Sequence, residues 1–200
     1  TFDGIVDSKG NMLFESGNIT PLSLMDIVND NGDSVYYLVK EIPEKVRQAG
    51  LATVKSFGVK SRFVHLEFFI LNEDQEGLGK KGDVLGLEVN MRPAGGFTPE
   101  MYNYSQETDV YKIWADMIAF DCNTKSIGNS HYCAFFGRRA NKPYKLDDYE
   151  VMMKYGHKMV MWGRIPEALS GAMANQMYVA NFDTEEEMMA FYADMAAQYE

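Results

Sequence analysis

The chain has 200 residues, 46% of them hydrophobic and 13% aromatic, and its formal net charge is −10 at pH 7. That length suits one ordinary domain or one domain with a small appendage, and the apolar content is sufficient for a buried core. The negative charge argues against nucleic acids and anionic membranes as partners, because no basic patch is large enough to overcome it.

Cysteine usage and hydropathy indicate the compartment. Cys122 and Cys133 are the only cysteines and form no C-x-x-C motif, so we expect neither a structural zinc site nor a disulfide framework. No apolar run is long enough to span a membrane, and no signal-peptide pattern is present, which predicts a cytoplasmic protein. The sequence begins with Thr1 rather than Met, inside a strand-like segment, and we therefore expect a domain taken from a longer polypeptide.

The spacing of apolar residues predicts the elements of the first part of the chain. Thr98-Pro99-Glu100 is typical of a helix start, with a threonine cap followed by proline at the first helical position. In chain order, the predicted elements are a β-hairpin formed by residues 1–6 and 12–14, a helix over 41–57, strands over 62–71 and 83–91, and helices beginning at 98 and spanning 108–120.

A polar connector at residues 121–130 predicts a boundary, and the fold class predicted for the whole chain is α+β. We expect one domain over residues 1–122 and a small α+β domain over residues 130–200. The elements predicted for the second domain are strands over 132–136, 158–162 and 176–179 and helices over 147–155 and 184–198.

Polar side chains concentrate on one face of each of the two strongest strands, because successive side chains alternate between faces. His65 and Glu67 share a face of the first strand, and Glu88, Asn90 and Arg92 share a face of the second. The opposite faces are wholly apolar and carry Val64, Leu66, Phe68 and Ile70 on the first strand and Leu85, Leu87, Val89 and Met91 on the second.

An antiparallel pairing of these two strands places Glu67 opposite Glu88 and His65 opposite Asn90. Two neighbouring carboxylates repel each other unless one is protonated or a cation bridges them. Carboxylate and amide oxygens suit Mg²⁺, which adds phosphate oxygens and water to a few protein ligands. This pattern predicts a magnesium–nucleotide site, and it is equally typical of a solvated sheet face.

The segment after the second strand favours the site over the solvated face. Arg92 can offer a bidentate fork to a carboxylate or phosphate. Gly95 and Gly96 then lead into a helix start, where free backbone N–H groups form an anion site.

These motifs resemble the ATP-grasp superfamily, especially its carboxylate–amine ligases: E-x-N followed by x-R-P-x-G-G, with H-x-E-F-F on the preceding strand. The resemblance covers residues 1–120 and implies the C-terminal subdomain of an ATP-grasp catalytic domain, an antiparallel sheet with flanking helices, followed by a small C-terminal cap. It also implies that Glu67, Glu88 and Asn90 bind Mg²⁺ and the nucleotide. By the same resemblance, Arg92 is catalytic and touches the transferred phosphate, and Gly95 and Gly96 line its pocket.

The function implied is an ATP- and Mg²⁺-dependent ligase, with Mn²⁺ as a substitute metal, that acts through an acyl phosphate. Its partners would be ATP, a small carboxylate and an amine such as an amino acid. The N-terminal half of the same polypeptide would supply the lysines and adenine contacts, so the isolated chain is expected to be inactive. The alternatives are a non-catalytic ATP-grasp-like binding or structural module and a small α+β protein with no nucleotide. The last would be favoured if Glu67 and Glu88 lay on opposite faces.

Two further features have alternative interpretations. Several peptide-forming relatives carry arginine where this chain has His65, and His65 either orients a ligand or is structural. Arg138 and Arg139 follow a predicted strand, and they either bind an acidic group or form a solvated strand end, which is the interpretation that the sequence favours.

Overall fold

The computed structural model describes residues 1–21 and 24–199, apart from the side chains of residues 24 and 26. In chain order, the strands are β1 (Phe2–Val6), β2 (Met12–Ser16), β3 (Asn18–Ile19), β4 (Ser34–Leu38), β5 (Arg62–Ile70), β6 (Val84–Asn90), β7 (Tyr132–Arg138), β8 (Met159–Arg164) and β9 (Gln176–Phe182). The helices are α1 (Leu24–Asn29), α2 (Glu44–Ser56), α3 (Thr98–Ser105), α4 (Val110–Phe120), α5 (Asp148–Tyr155), α6 (Glu167–Met173) and α7 (Glu185–Ala196).

The elements form two compact units, each with its own sheet, which confirms the α+β class. Unit 1 comprises Thr1–Asn18, Glu41–Asn103 and Glu107–Gly128, and unit 2 comprises the described residues of Ile19–Lys40, Tyr104–Gln106 and Asn129–Glu200. These units differ from the division at residues 122–130 expected from the sequence. The reason is that β4, which lies early in the chain, pairs antiparallel with β7 of the second unit.

Unit 1 contains an antiparallel sheet of strand order β2-β1-β5-β6. The predicted hairpin is confirmed by the pairing of β1 with β2, and the predicted strand pair by that of β5 with β6. Helix α2 turns its buried residues Val46, Gly50 and Val54 toward the sheet, where Phe2 and Leu66 complete a core cluster. The helix begins one residue after Pro43, so the proline ring costs no helical hydrogen bond.

The sequence predicted that Leu85 lies on the apolar face of β6 with Leu87 and Val89, and this prediction is wrong. A β-bulge interrupts the pairing of β5 and β6 between Glu67 and Phe68, so that Phe68 pairs with Gly86 and Phe69 with Leu85. An extra residue in one strand shifts the following side chains to the other face. Val84 consequently packs against the core cluster beside α2, and Leu85 shares a face with Phe69.

Unit 2 contains an antiparallel sheet of strand order β3-β4-β7-β9-β8. Its core joins residues of β7 and β9 to Val151 of α5 and to Met188, Phe191 and Met195 of α7. A capping box closes the start of α5. The Asp147 carboxylate accepts a hydrogen bond from the backbone N–H of Glu150 at 2.8 Å, and the backbone N–H of Asp147 donates to the Glu150 carboxylate at 2.9 Å. Among the described residues, no helix combines the length and the apolar character that crossing a bilayer requires.

The packing of α2 on β1 yields a stability prediction. A methyl group added at Gly50 would lie 2.3 Å from Cγ of the buried Phe2 ring. We expect Gly50→Ala to lower the free energy of unfolding, because overpacking costs about 1–3 kcal/mol while the gain in helix propensity is at most about 1 kcal/mol. Urea denaturation of the full-length protein measures this change.

Gly171→Ala is the matched control, since Gly171 is also helical and a methyl group there meets nothing within 4 Å. This variant should be neutral or slightly stabilising. Equal effects of the two substitutions would contradict the close approach of α2 to Phe2.

Candidate functional site

Strands β5 and β6 bring the predicted site residues together. Glu67 is the cross-strand partner of Glu88, and His65 is the partner of Asn90, as the sequence predicts. Cross-strand partners point to the same face of a sheet. Glu67 and Glu88 therefore share a face, and the arrangement that would favour a protein with no nucleotide is not found.

A polar row continues across the sheet to strands that the sequence did not connect with the site. His65 is the partner of Asp3 on β1, and Asp3 is in turn the partner of Ser16 on β2. Asp3 is 1% exposed and His65 9% exposed, so the row is buried at its centre. Asp3 is a site residue that sequence reasoning missed. The sequence does show an acid within a short apolar strand. It does not show that this strand pairs with β5, because the paired residues are more than fifty positions apart.

His65 links the buried Asp3 to the more exposed Glu67. Its Nδ1 lies 2.5 Å from Oδ1 of Asp3, and its Nε2 lies 3.2 Å from Oε1 of Glu67. Burial by itself would lower the pKa of His65, but the hydrogen bond and charge of Asp3, helped by the charge of Glu67, outweigh it and raise that pKa above its usual value. The imidazole thus has a carboxylate at each nitrogen, an arrangement that favours the doubly protonated ring.

Glu88 is exposed at the rim of the same face. The neighbouring Asn90 side chain is the largest influence on the Glu88 carboxyl group, and together with Glu67 and the charge of Arg92 it lowers the pKa of Glu88. The buried Nδ2 atom of Asn90 has no partner at hydrogen-bonding geometry. The effect of this amide on Glu88 is therefore better described as electrostatic than as a formed hydrogen bond.

The donor set fits a magnesium ion that shares its coordination with phosphate and water. Glu67 and Glu88 offer hard carboxylate oxygens on one face, and Asn90 adds an amide oxygen. Among the side chains that the structure describes, no group of three or more His, Cys, Asp and Glu is arranged to hold a metal alone. These three residues can accordingly supply only part of a coordination shell, as is usual for Mg²⁺ with a nucleotide.

The loop from Arg92 to α3 presents a cation and open backbone next to these carboxylates. Arg92 is exposed, and its Nη1 donates to the carbonyl oxygen of Pro93 at 3.0 Å. Gly96 has a φ of 61°, a left-handed conformation that favours glycine, and nothing lies within 4 Å of a methyl group built at Gly95. An anion can therefore approach this backbone closely, beside the guanidinium of Arg92.

Two solved structures have the same fold over nearly the whole chain. Phosphoribosylglycinamide synthetase from Anaerococcus prevotii matches with a TM-score of 0.61 and 14% identity over 97% of this chain. L-amino acid ligase from Bacillus licheniformis matches with a TM-score of 0.63 and 15% identity over 96% of this chain. The chain has the ATP-grasp fold.

The match to these ATP-grasp ligases is partial in length and remote in sequence. The chain covers 51% of the synthetase and 48% of the amino acid ligase, so it spans about half of each. This coverage agrees with the C-terminal portion of an ATP-grasp protein expected from the sequence. No protein-family profile and no curated protein matches the chain.

The contacts of His65 predict how stability depends on pH. The pKa of His65 is raised in the folded protein above its unfolded value of about 6.5. The folded state thus retains a proton that the unfolded state loses, so the free energy of unfolding falls as the pH rises from about 6.5 through the folded pKa. Asp3→Asn removes the main cause of the raised pKa and should flatten this dependence. At low pH the variant should also lose about 1–3 kcal/mol of stability.

Urea denaturation at a series of pH values, together with NMR titration of the His65 ring, measures both effects in the full-length protein. His157→Gln is the control, since His157 is exposed. An unchanged His65 titration in Asp3→Asn would contradict the role given to Asp3.

Proposed function

We propose that the protein to which this chain belongs is an ATP- and Mg²⁺-dependent ligase that joins a carboxylate to an amine. The observation that carries the proposal is the pairing of Glu67 with Glu88 beside Asn90, followed directly by Arg92 and a glycine turn, on an ATP-grasp fold. The structural neighbours are named as a synthetase and a ligase, which supports the same general kind of function.

Glu67, Glu88 and Asn90 would hold the metal, which when bound cancels charge on the phosphates of ATP. His65 orients Glu67 through its contact at 3.2 Å, and Asp3 fixes the ring of His65 from the other side. The Glu67 carboxylate is thereby held in place before ATP arrives. Such positioning lowers the reorganisation that would otherwise accompany binding.

The proposed reaction has two steps. A carboxylate oxygen attacks the γ-phosphorus of ATP, the bond to the bridging oxygen breaks, and ADP leaves with that electron pair. The amine then attacks the acyl carbon, inorganic phosphate leaves, and the amine gives up a proton to solvent. Arg92 would bind the phosphoryl oxygens throughout, and the backbone at Gly95 and Gly96 would donate to them.

The chain spans about half the length of its structural neighbours, so the rest of the enzyme is proposed to come from further sequence of the same polypeptide. That sequence would contact the adenine and grip the phosphates. ATP, a small carboxylate and an amine such as an amino acid are the proposed ligands. The chain alone is then expected to bind metal weakly and to be inactive.

The metal site is tested by calorimetric titration of the full-length protein with Mn²⁺, with and without ADP. We expect ADP to strengthen Mn²⁺ binding, and Glu88→Ala to weaken it by at least about tenfold. Glu76→Ala is the matched control, because Glu76 is an exposed acid in the loop between β5 and β6. Equal affinity in wild type and Glu88→Ala would refute the assignment of Glu88.

The catalytic proposal is tested by metal-dependent release of ADP. Glu88→Gln preserves the size of the side chain but removes its charge, and we expect it to lower ATP turnover by at least about a hundredfold. Unchanged turnover in this variant would contradict the ligase mechanism. Metal and ADP binding without any turnover by the wild type would instead support the non-catalytic ATP-grasp module.

A further inference from the structure

A cavity of about 1040 Å³ lies within unit 2, and none of its lining residues is assigned to the ligase site. Arg138, Arg139 and Arg164 line it, together with Tyr144 and Tyr178. The chain as a whole has a net charge of −10, so three arginines around one cavity are a local departure from its general character. None of the functions considered so far uses this cavity.

Two of these arginines lie in register across the sheet. Gln176 on β9 is the partner of Arg138 on β7 and also of Arg164 on β8. Cross-strand partners share a face, so the three side chains form a row with a cation at each end and an amide between them. Adjacent strands are about 4.8 Å apart, which separates the two arginine backbones by about 10 Å.

The prediction that Arg138 and Arg139 form a solvated strand end is wrong, because the two residues are only 4% and 6% exposed. Arg138 donates from Nε and Nη2 to the carbonyl of Met195 at 3.1 and 3.0 Å, and from Nη1 to that of Leu146 at 2.7 Å. Its guanidinium carbon also lies 4.3 Å from the ring centre of Tyr144 and 5.5 Å from that of Tyr178.

Arg139 is held in a similar way. Its Nε donates to the carbonyl of Gly32 at 2.8 Å, and its Nη1 and Nη2 donate to the carbonyls of Ser170 and Gly171 at 2.7 and 3.0 Å. A guanidinium has five N–H groups, so two on each of these arginines donate to none of these carbonyls. The carbonyls fix the side chains in place. The Tyr178 hydroxyl is a further neighbour of the Arg138 side chain, and Arg139 keeps two N–H groups for a further acceptor.

The charge of this arginine pair is not neutralised by carboxylates. Among the described residues, neither Arg138 nor Arg139 has a carboxylate within ion-pair distance. Ser170 and Gly171 lie near the end of α6 and Met195 near the end of α7, and a helix C-terminus supplies at most about half a negative charge. This compensation is only partial, and a buried positive charge is costly unless an anion is near.

Three acids also line the cavity, and one of them, Glu167, is exposed in the first turn of α6. Asp147 caps α5, and Asp148 accepts a hydrogen bond from the hydroxyl of Tyr178. Lys142, a further lining cation, is paired with Asp33 at 3.0 Å. Arg164 is exposed and forms no ion pair with a described residue. The cavity thus offers two buried guanidinium groups and an exposed third.

We propose that this cavity in unit 2 binds a small organic anion through the oxygens of a phosphate or carboxylate group, with Arg138 and Arg139 as fixed donors and Arg164 closing on the ligand. Gln176 would donate an amide hydrogen bond between the two ends of the row. The rings of Tyr144 and Tyr178 hold the Arg138 guanidinium and would give the anion an apolar border. This site is independent of the ligase proposal, since all of its residues belong to unit 2.

The test uses the full-length protein in the presence of EDTA, titrated with inorganic phosphate or with succinate at constant ionic strength set by sodium chloride. Calorimetry gives the affinity, and hydrogen exchange measured by mass spectrometry locates the protection. Arg164→Gln is the informative variant, because this side chain is exposed and forms no ion pair with a described residue. Arg62→Gln removes the same charge from an exposed arginine of unit 1 and is the matched control.

We expect saturable binding of at least one probe, protection within residues 138–149 and 164–178, and an affinity at least about fivefold weaker in Arg164→Gln but unchanged in Arg62→Gln. Binding of phosphate alone would indicate a phosphate ester as the natural ligand, and binding of succinate alone would indicate a carboxylate. Absence of saturable binding of both probes, protection elsewhere, or equal losses in the two variants would overturn the proposal.

Discussion

Strand β5 is hydrogen-bonded to β1 on one side and to β6 on the other, and its register against both decides which polar side chains meet. With this register, Asp3, His65 and Asn90 form one row, and Glu67 and Glu88 form the next. A shift of one residue in either pairing would turn a carboxylate toward the core cluster beneath α2. Burial of that cluster therefore fixes the register and, with it, the positions of the candidate site residues. The same apolar packing stabilises unit 1 and sets the geometry of its polar face.

The two units place arginine and carboxylate groups in contrasting ways. On the sheet of unit 1, the carboxylates Glu67 and Glu88 lie near the surface, where a cation can reach them. On the sheet of unit 2, guanidinium groups are buried and fastened by backbone carbonyls. A guanidinium tolerates this better than an ammonium does, because it is weakly hydrated and its charge is spread over three nitrogens. The sheet of unit 1 therefore presents carboxylates near the surface, whereas the sheet of unit 2 carries buried guanidinium groups.

The sequence was informative wherever the structure depends on neighbouring residues. The hairpin of β1 and β2, the pair of β5 and β6 and most helices were predicted because alternation and helical spacing are local patterns. The bulge beside Phe68 was not predicted, since it changes the face of Leu85 without any signal in composition. Strand β4 and helix α6 were missed, and Asp3 was not assigned to the site, because their partners lie far away in the chain. The burial of Arg138 was misjudged for a related reason: the carbonyl of Met195, which accepts two of its hydrogen bonds, belongs to a distant segment.

Helix α2 approaches β1 so closely that the ring of Phe2 occupies the space where a side chain at position 50 would lie. The two positions are 48 residues apart in sequence yet compete for the same space. In a set of homologous chains, a larger residue at position 50 should accordingly occur together with a smaller one at position 2, so the two columns would covary. Phe2 is the direct neighbour of Asp3 in the chain. A substitution at Gly50 that displaced Phe2 would therefore also shift the backbone of the buried Asp3. The residues tolerated at position 50 of α2 are thus limited, through Phe2, by the strand that carries Asp3.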